Sequence, residues 1–92
     1  MTKHIVIWTM KENATLEQKQ EMKLRLEALN GKIPQLLAIE VGIDTENGTM
    51  ALCSEFSSAE DLAVYQAHPD HQAVAGFVKT LVAARIVCDY TA

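Results

Sequence analysis

The stretch Ser58-Ala-Glu-Asp-Leu-Ala-Val-Tyr-Gln-Ala-His-Pro-Asp-His-Gln-Ala-Val74 gathers Tyr65, His68 and His71 around Pro69. Proline keeps the residue before it out of the α region and suits the first position of a new helix. A helix starting near Ser58 therefore breaks at His68, and a second starts at Pro69. Two of the three histidines of the chain sit at that bend. In a sequence otherwise poor in reactive side chains, the bend is the expected site.

Strands and helices alternate outward from this corner. Lys3 to Met10 is β-branched and aromatic and reads as a strand, with His4, Val6, Trp8 and Met10 on one face and Ile5, Ile7 and Thr9 on the other. Thr15 followed by Gln18 fits a capping box for a helix over Leu16–Asn30, whose stripe is Met22, Leu26, Leu29 and Ile33. Glu17, Lys19, Gln20, Lys23 and Glu27 fall on its wet side, Gly31 suits the residue after its end, and Pro34 stops it. Leu36–Asp44 and Met50–Phe56 form a hairpin around Asn47-Gly48. The bent helical unit runs from Ser58 to about Val82, and Arg85–Thr91 closes the chain as a strand.

The order βαββαβ is the ferredoxin-like arrangement, an α+β fold. It implies a four-stranded antiparallel sheet of order 4-1-3-2 with the helices on one face. Cys53 and Cys88 then lie on the two strands flanking the first, roughly 9–10 Å apart and beyond the ~7 Å Cα limit of a disulfide. Both are expected to be reduced, buried small hydrophobes, and their spacing offers no metal site. The helices cover only one sheet face, yet strands one and two carry apolar residues on both. A second copy packed sheet to sheet resolves this, so a homodimer through the sheet face is expected.

The 92 residues suit a single domain spanning 1–92, and 49 % apolar content excludes disorder. Net charge is −4 with no Lys/Arg cluster, which argues against nucleic acid. No stretch approaches the roughly 20 apolar residues of a membrane span, and the start of the chain lacks a signal-peptide pattern. The expectation is a cytoplasmic protein with neither membrane nor nucleic acid as partner.

The chain resembles the stress-responsive A/B barrel (Dabb) family. The resemblance is carried by Lys3-His4-Ile5-Val6, Ile33-Pro34, Val41-Gly42 and Phe56-Ser57-Ser58. It continues in the run Asp61-Leu62-(x2)-Tyr65-(x2)-His68-Pro69-(x)-His71 and in Asp89-Tyr90. It implies a ferredoxin-like chain that pairs into a dimeric α/β barrel. Members are functionally mixed: some are stress-induced assembly proteins, and one is a polyketide cyclase working without a cofactor. In that cyclase the positions matching Tyr65 and His71 do acid–base work near the histidine matching His4, and a tyrosine stands where this chain has Leu26. The resemblance therefore implies no metal and no cofactor.

His71 can take and return a proton near neutral pH, and Tyr65 can hold a carbonyl or enolate oxygen. The same rings can equally cap broken helix ends and fill the corner. His4 reads as a base or as a hydrogen-bonded core histidine. Trp8 and Met10 are core residues that also wall a pocket. His68 caps the second half-helix, lines the pocket, or, more weakly, shares a metal with His71. Glu40 and Glu55 read as dimer-rim charges or edge protection. One function is a small-molecule protein, with a pocket for an aromatic or polyketide-like carbonyl compound between the sheet and the bent helix. Whether it is an enzyme stays open; if so, its chemistry is that of a cofactor-independent cyclase or lyase. The alternatives are a non-catalytic, stress-associated structural homo-oligomer and an accessory subunit.

Overall fold

The computed structural model covers residues 1–92. The elements run β1 (Thr2–Met10), α1 (Leu16–Glu27), β2 (Ala38–Asp44), β3 (Thr49–Phe56), α2 (Ala59–Ala67), α3 (Pro69–Leu81) and β4 (Val82–Thr91). The sheet order is β2-β3-β1-β4 with antiparallel pairing throughout, the ferredoxin-like order expected from the pattern.

The local signals act as chemistry dictates. Thr15 accepts from the Gln18 backbone N–H while the Gln18 side chain accepts from the Thr15 N–H, so two otherwise free donors are satisfied at the start of α1. Met22, Leu26, Leu29 and Ile33 are all buried, each contributing roughly 1.5–3 kcal/mol. Gly48, with φ +70°, closes the β2–β3 turn in the left-handed region. Before Pro69, His68 is extended (φ −65°, ψ 136°) and ends α2, and its side chain starts α3.

Three boundaries differ from the pattern. The α-helical hydrogen bonding of α1 stops at Glu27, and the chain tightens through i→i−3 bonds from Leu29 to Leu26 and from Asn30 to Glu27. Leu36 donates back to Ile33 in a turn, so β2 begins at Ala38, and the buried Leu36 side chain serves the core from a loop. β4 begins at Val82, directly after α3, because a bulge at Thr9/Met10 pairs Met10 with Val82.

Lys23 and Glu27 are more than a wet face. Lys23 Nζ donates to the Val41 carbonyl (2.6 Å) and to Glu27 (2.7 Å), while Glu27 accepts from the Val41 N–H (3.0 Å). The backbone of edge strand β2 is thereby closed by side chains of α1, which also guards the edge. The Lys23 hydrogen bond, foremost, holds the Glu27 carboxyl below its ordinary 4.5.

The opposite sheet face is bare. Ile7 is 47 % and Ile86 73 % exposed, and these two are register partners. Cys53 and Cys88 flank Ile5 on that face; Cys53 is only half-buried and Cys88 exposed. The expected burial of both thiols is thus corrected for the single chain, because the helices leave this side of the sheet uncovered.

Glu27→Ala removes the acceptor of the Val41 N–H and should lower stability by about 1 kcal/mol in urea unfolding. Because the Glu27 value is depressed on folding, its contribution is complete above pH 4.5 and fades as pH falls through the folded value. Stability curves of parent and variant should therefore converge in acid; a constant gap would contradict the clamp.

Candidate functional site

The helices pack over β1, β3 and β2 but leave β4 exposed along nearly its whole length. Beside that uncovered strand lies a cavity of about 170 Å³ with twelve lining residues, eight of them hydrophobic. Val6, Trp8 and Leu52 form its floor, and Leu26, Tyr65 and Val78 its walls. Its size suits one aromatic ring, since an apolar cavity of about 150 Å³ holds benzene.

Tyr65 is 1 % exposed and sits near the end of α2, its ring 5.0 Å from that of Phe56 and 4.5 Å from that of His71. Burial alone pushes its phenol up to about 12, so it is a neutral donor at every physiological pH. No protein group hydrogen-bonds its hydroxyl, yet that oxygen is not sealed in the core. The cavity is the space it faces.

His71, in the first turn of α3, places Nδ1 3.1 Å from the Gln66 carbonyl. A carbonyl only accepts, so the neutral ring carries its proton on Nδ1 and leaves Nε2 bare. Desolvation, followed by the charges of His4, Arg85 and His68, pulls its pKa below 6.5, against the Gln66 hydrogen bond that raises it. The ring is therefore a free base at neutral pH.

His4 is buried on β1, and its Nδ1 lies 2.5 Å from Asp89 Oδ1 on β4. The two are register partners and so share a face. The carboxylate fixes which ring nitrogen carries the proton and how the ring is turned.

Of the residues named from the sequence, His4, Trp8, Tyr65 and His71 line one cavity. Met10 and His68 do not, contrary to expectation. Met10 is buried at the far end of β1 in the core, beyond the bulge. His68 uses Nδ1 to accept from the Asp70 N–H at 3.1 Å, as the cap of α3. No group of three His, Cys, Asp or Glu side chains is placed to hold a metal ion. Sequence reasoning missed Asp89, Lys79 and Arg85. Strand parity on β4 puts Asp89 and Arg85 on the face of His4, but only the register reveals their partners.

A ferredoxin-like sheet with a proline-split helix over a His/Tyr-lined cavity defines the class. The stress-responsive A/B barrel domain matches residues 2–92, and the chain belongs to that family. No curated protein matches it. A dimeric protein of unknown function from Bacteroides fragilis is 30 % identical, with 99 % of this chain and 95 % of that one covered and a TM-score of 0.83. A protein from Arabidopsis thaliana is 26 % identical over 100 % and 95 %, with a TM-score of 0.87. A hydroxynitrile lyase from Passiflora edulis shares the fold at 20 % identity over 97 % and 90 %, TM-score 0.85.

The His71 ring should titrate below 6.5 by NMR. Its lowered value leaves its stability contribution complete above pH 6.5, to be lost as pH falls through the folded value. His71→Phe should therefore flatten the pH dependence of stability just below 6.5. A ring titrating at 6.5 or above would contradict its desolvation beside the cavity.

Proposed function

We propose that residues 1–92 act as one Dabb domain in a cytoplasmic homodimer whose cavity takes an aromatic or polyketide-like carbonyl compound. His71 and Tyr65 supply acid–base chemistry there without a cofactor. One observation carries this reading: a buried tyrosine hydroxyl without a protein partner faces an apolar cavity beside a neutral imidazole. Packing alone gives no reason to bring an unpaired phenol inward, since a phenylalanine fills the same space without a polar group to desolvate.

In this reading the Tyr65 O–H donates to the substrate carbonyl oxygen. His71 Nε2 removes a proton from the adjacent carbon, and the negative charge moves onto the oxygen that Tyr65 holds. The enolate carbon then attacks a second carbonyl of the same molecule, forming the ring bond. The proton returns from His71 to the new alkoxide. His4, oriented by Asp89, holds a second polar group of the substrate. The family resemblance likewise implies acid–base roles for Tyr65 and His71, with His4 beside them.

The bare sheet face supports the homodimer, as does the description of the Bacteroides relative as dimeric. Glu40 and Glu55 lie on this face by register, Glu55 paired with Lys3 at 3.5 Å. Sedimentation at micromolar concentration should give about twice the monomer mass, and Ile7→Asp should give a monomer because it buries an unpaired charge. Cys88 should label slowly in the parent and quickly in Ile7→Asp. Rapid labelling of an associated parent would place the interface elsewhere.

For the cavity, acetophenone titrated against the fluorescence of the single tryptophan, Trp8, reads binding directly. Tyr65→Phe should weaken it by about 0.5–1.5 kcal/mol with the fold intact. If acetophenone leaves Trp8 unchanged and Tyr65→Phe is neutral or stabilising, the structural homo-oligomer is the better reading.

A further inference from the structure

The cavity does not end at its apolar chamber. It shares His71, Ala75, Lys79 and Arg85 with an outer hollow of about 410 Å³ that has a single hydrophobic lining residue. The two spaces form an apolar chamber with a polar vestibule, and Lys79 and Arg85 stand where they meet.

The charges there are one-sided. Neither hollow has an acidic lining residue, although the chain as a whole carries −4. The ion pairs of the protein engage Lys3, His4, Lys23, Arg25 and His68, and none engages Lys79 or Arg85. Asp89, the acid on the same face of β4, is held by His4 and lines neither space. Two unpaired cations thus face one opening from two elements, α3 and β4.

We infer that the ligand of this cavity carries an anionic head group, carboxylate or phosphate, which Lys79 and Arg85 hold in the vestibule while its apolar body fills the chamber. The inference rests on the cavity being a ligand site and adds the class of ligand. Arginine offers a planar fork of donors matched to either anion, and lysine a compact second charge. An apolar carbonyl compound without such a group leaves the vestibule unused. With it, the head group fixes which end of the molecule reaches Tyr65 and His71.

Trp8 fluorescence tests this with phenylacetate, benzylphosphonate and the neutral phenylacetamide. At low salt the better anion should bind about tenfold more tightly than the amide, and which anion wins identifies the head group. Arg85→Gln and Lys79→Gln, both on exposed side chains, should each reduce that preference. Raising salt should act in the same direction. Equal affinity for the anions and the amide overturns the head-group inference and leaves the cavity reading standing. Absence of binding by all three overturns both.

Discussion

Everything at the site depends on a steric conflict between Pro69 and the residue before it. In an unbroken helix, positions 65 and 71 would lie about 120° apart around the axis and about 9 Å apart along it. Their side chains would face different ways. Because the proline ring forces His68 to be extended, the chain turns there, and the Tyr65 and His71 rings come to 4.5 Å. The turn is stabilised where it is made: the His68 side chain caps α3, and His71 holds the Gln66 carbonyl near the end of α2. The local backbone constraint and the chemical juxtaposition have one cause.

The second determinant is how far the helices reach. Three helices on one face cover β2, β3 and β1, and their coverage runs out at β4. A fully covered sheet would have a filled core there. Instead the uncovered strand supplies Arg85 to the margin of an apolar space, and Asp89 to the His4 ring that lines it. The sheet has a wet side and a dry side within a single face, and the cavity lies between them.

Much of this was legible in the residues. The capping box, the Asn47-Gly48 turn, the Pro69 break and the strand order all follow from short-range chemistry, so one sequence suffices to read them. Parity along β1 placed His4 and Trp8 together. What escaped depends on contacts distant in sequence. The grip of Lys23 and Glu27 on Val41 looks, from α1 alone, like two solvated charges at helical spacing. Leu36 reads as strand because composition cannot show that its N–H turns back to Ile33. Cys88 looks buried by composition, but exposure is a property of what lies over β4. His68 and Met10 share a neighbourhood with the site in sequence, yet one serves a helix end and the other lies past the bulge.

The absence of any loop between α3 and β4 has a mechanical consequence. Leu81 is the last residue of the helix and Val82 the first of the strand, and the Leu81 carbonyl is held by the Lys11 N–H at 2.9 Å. That end of α3 is anchored to the sheet. Its other end is tied to α2, where His71 Nδ1 meets the Gln66 carbonyl, and Val74 behind it packs against the core. The helix is therefore pinned at both ends. The wall of the cavity that bears the base is a strut of fixed span between the proline bend and the sheet.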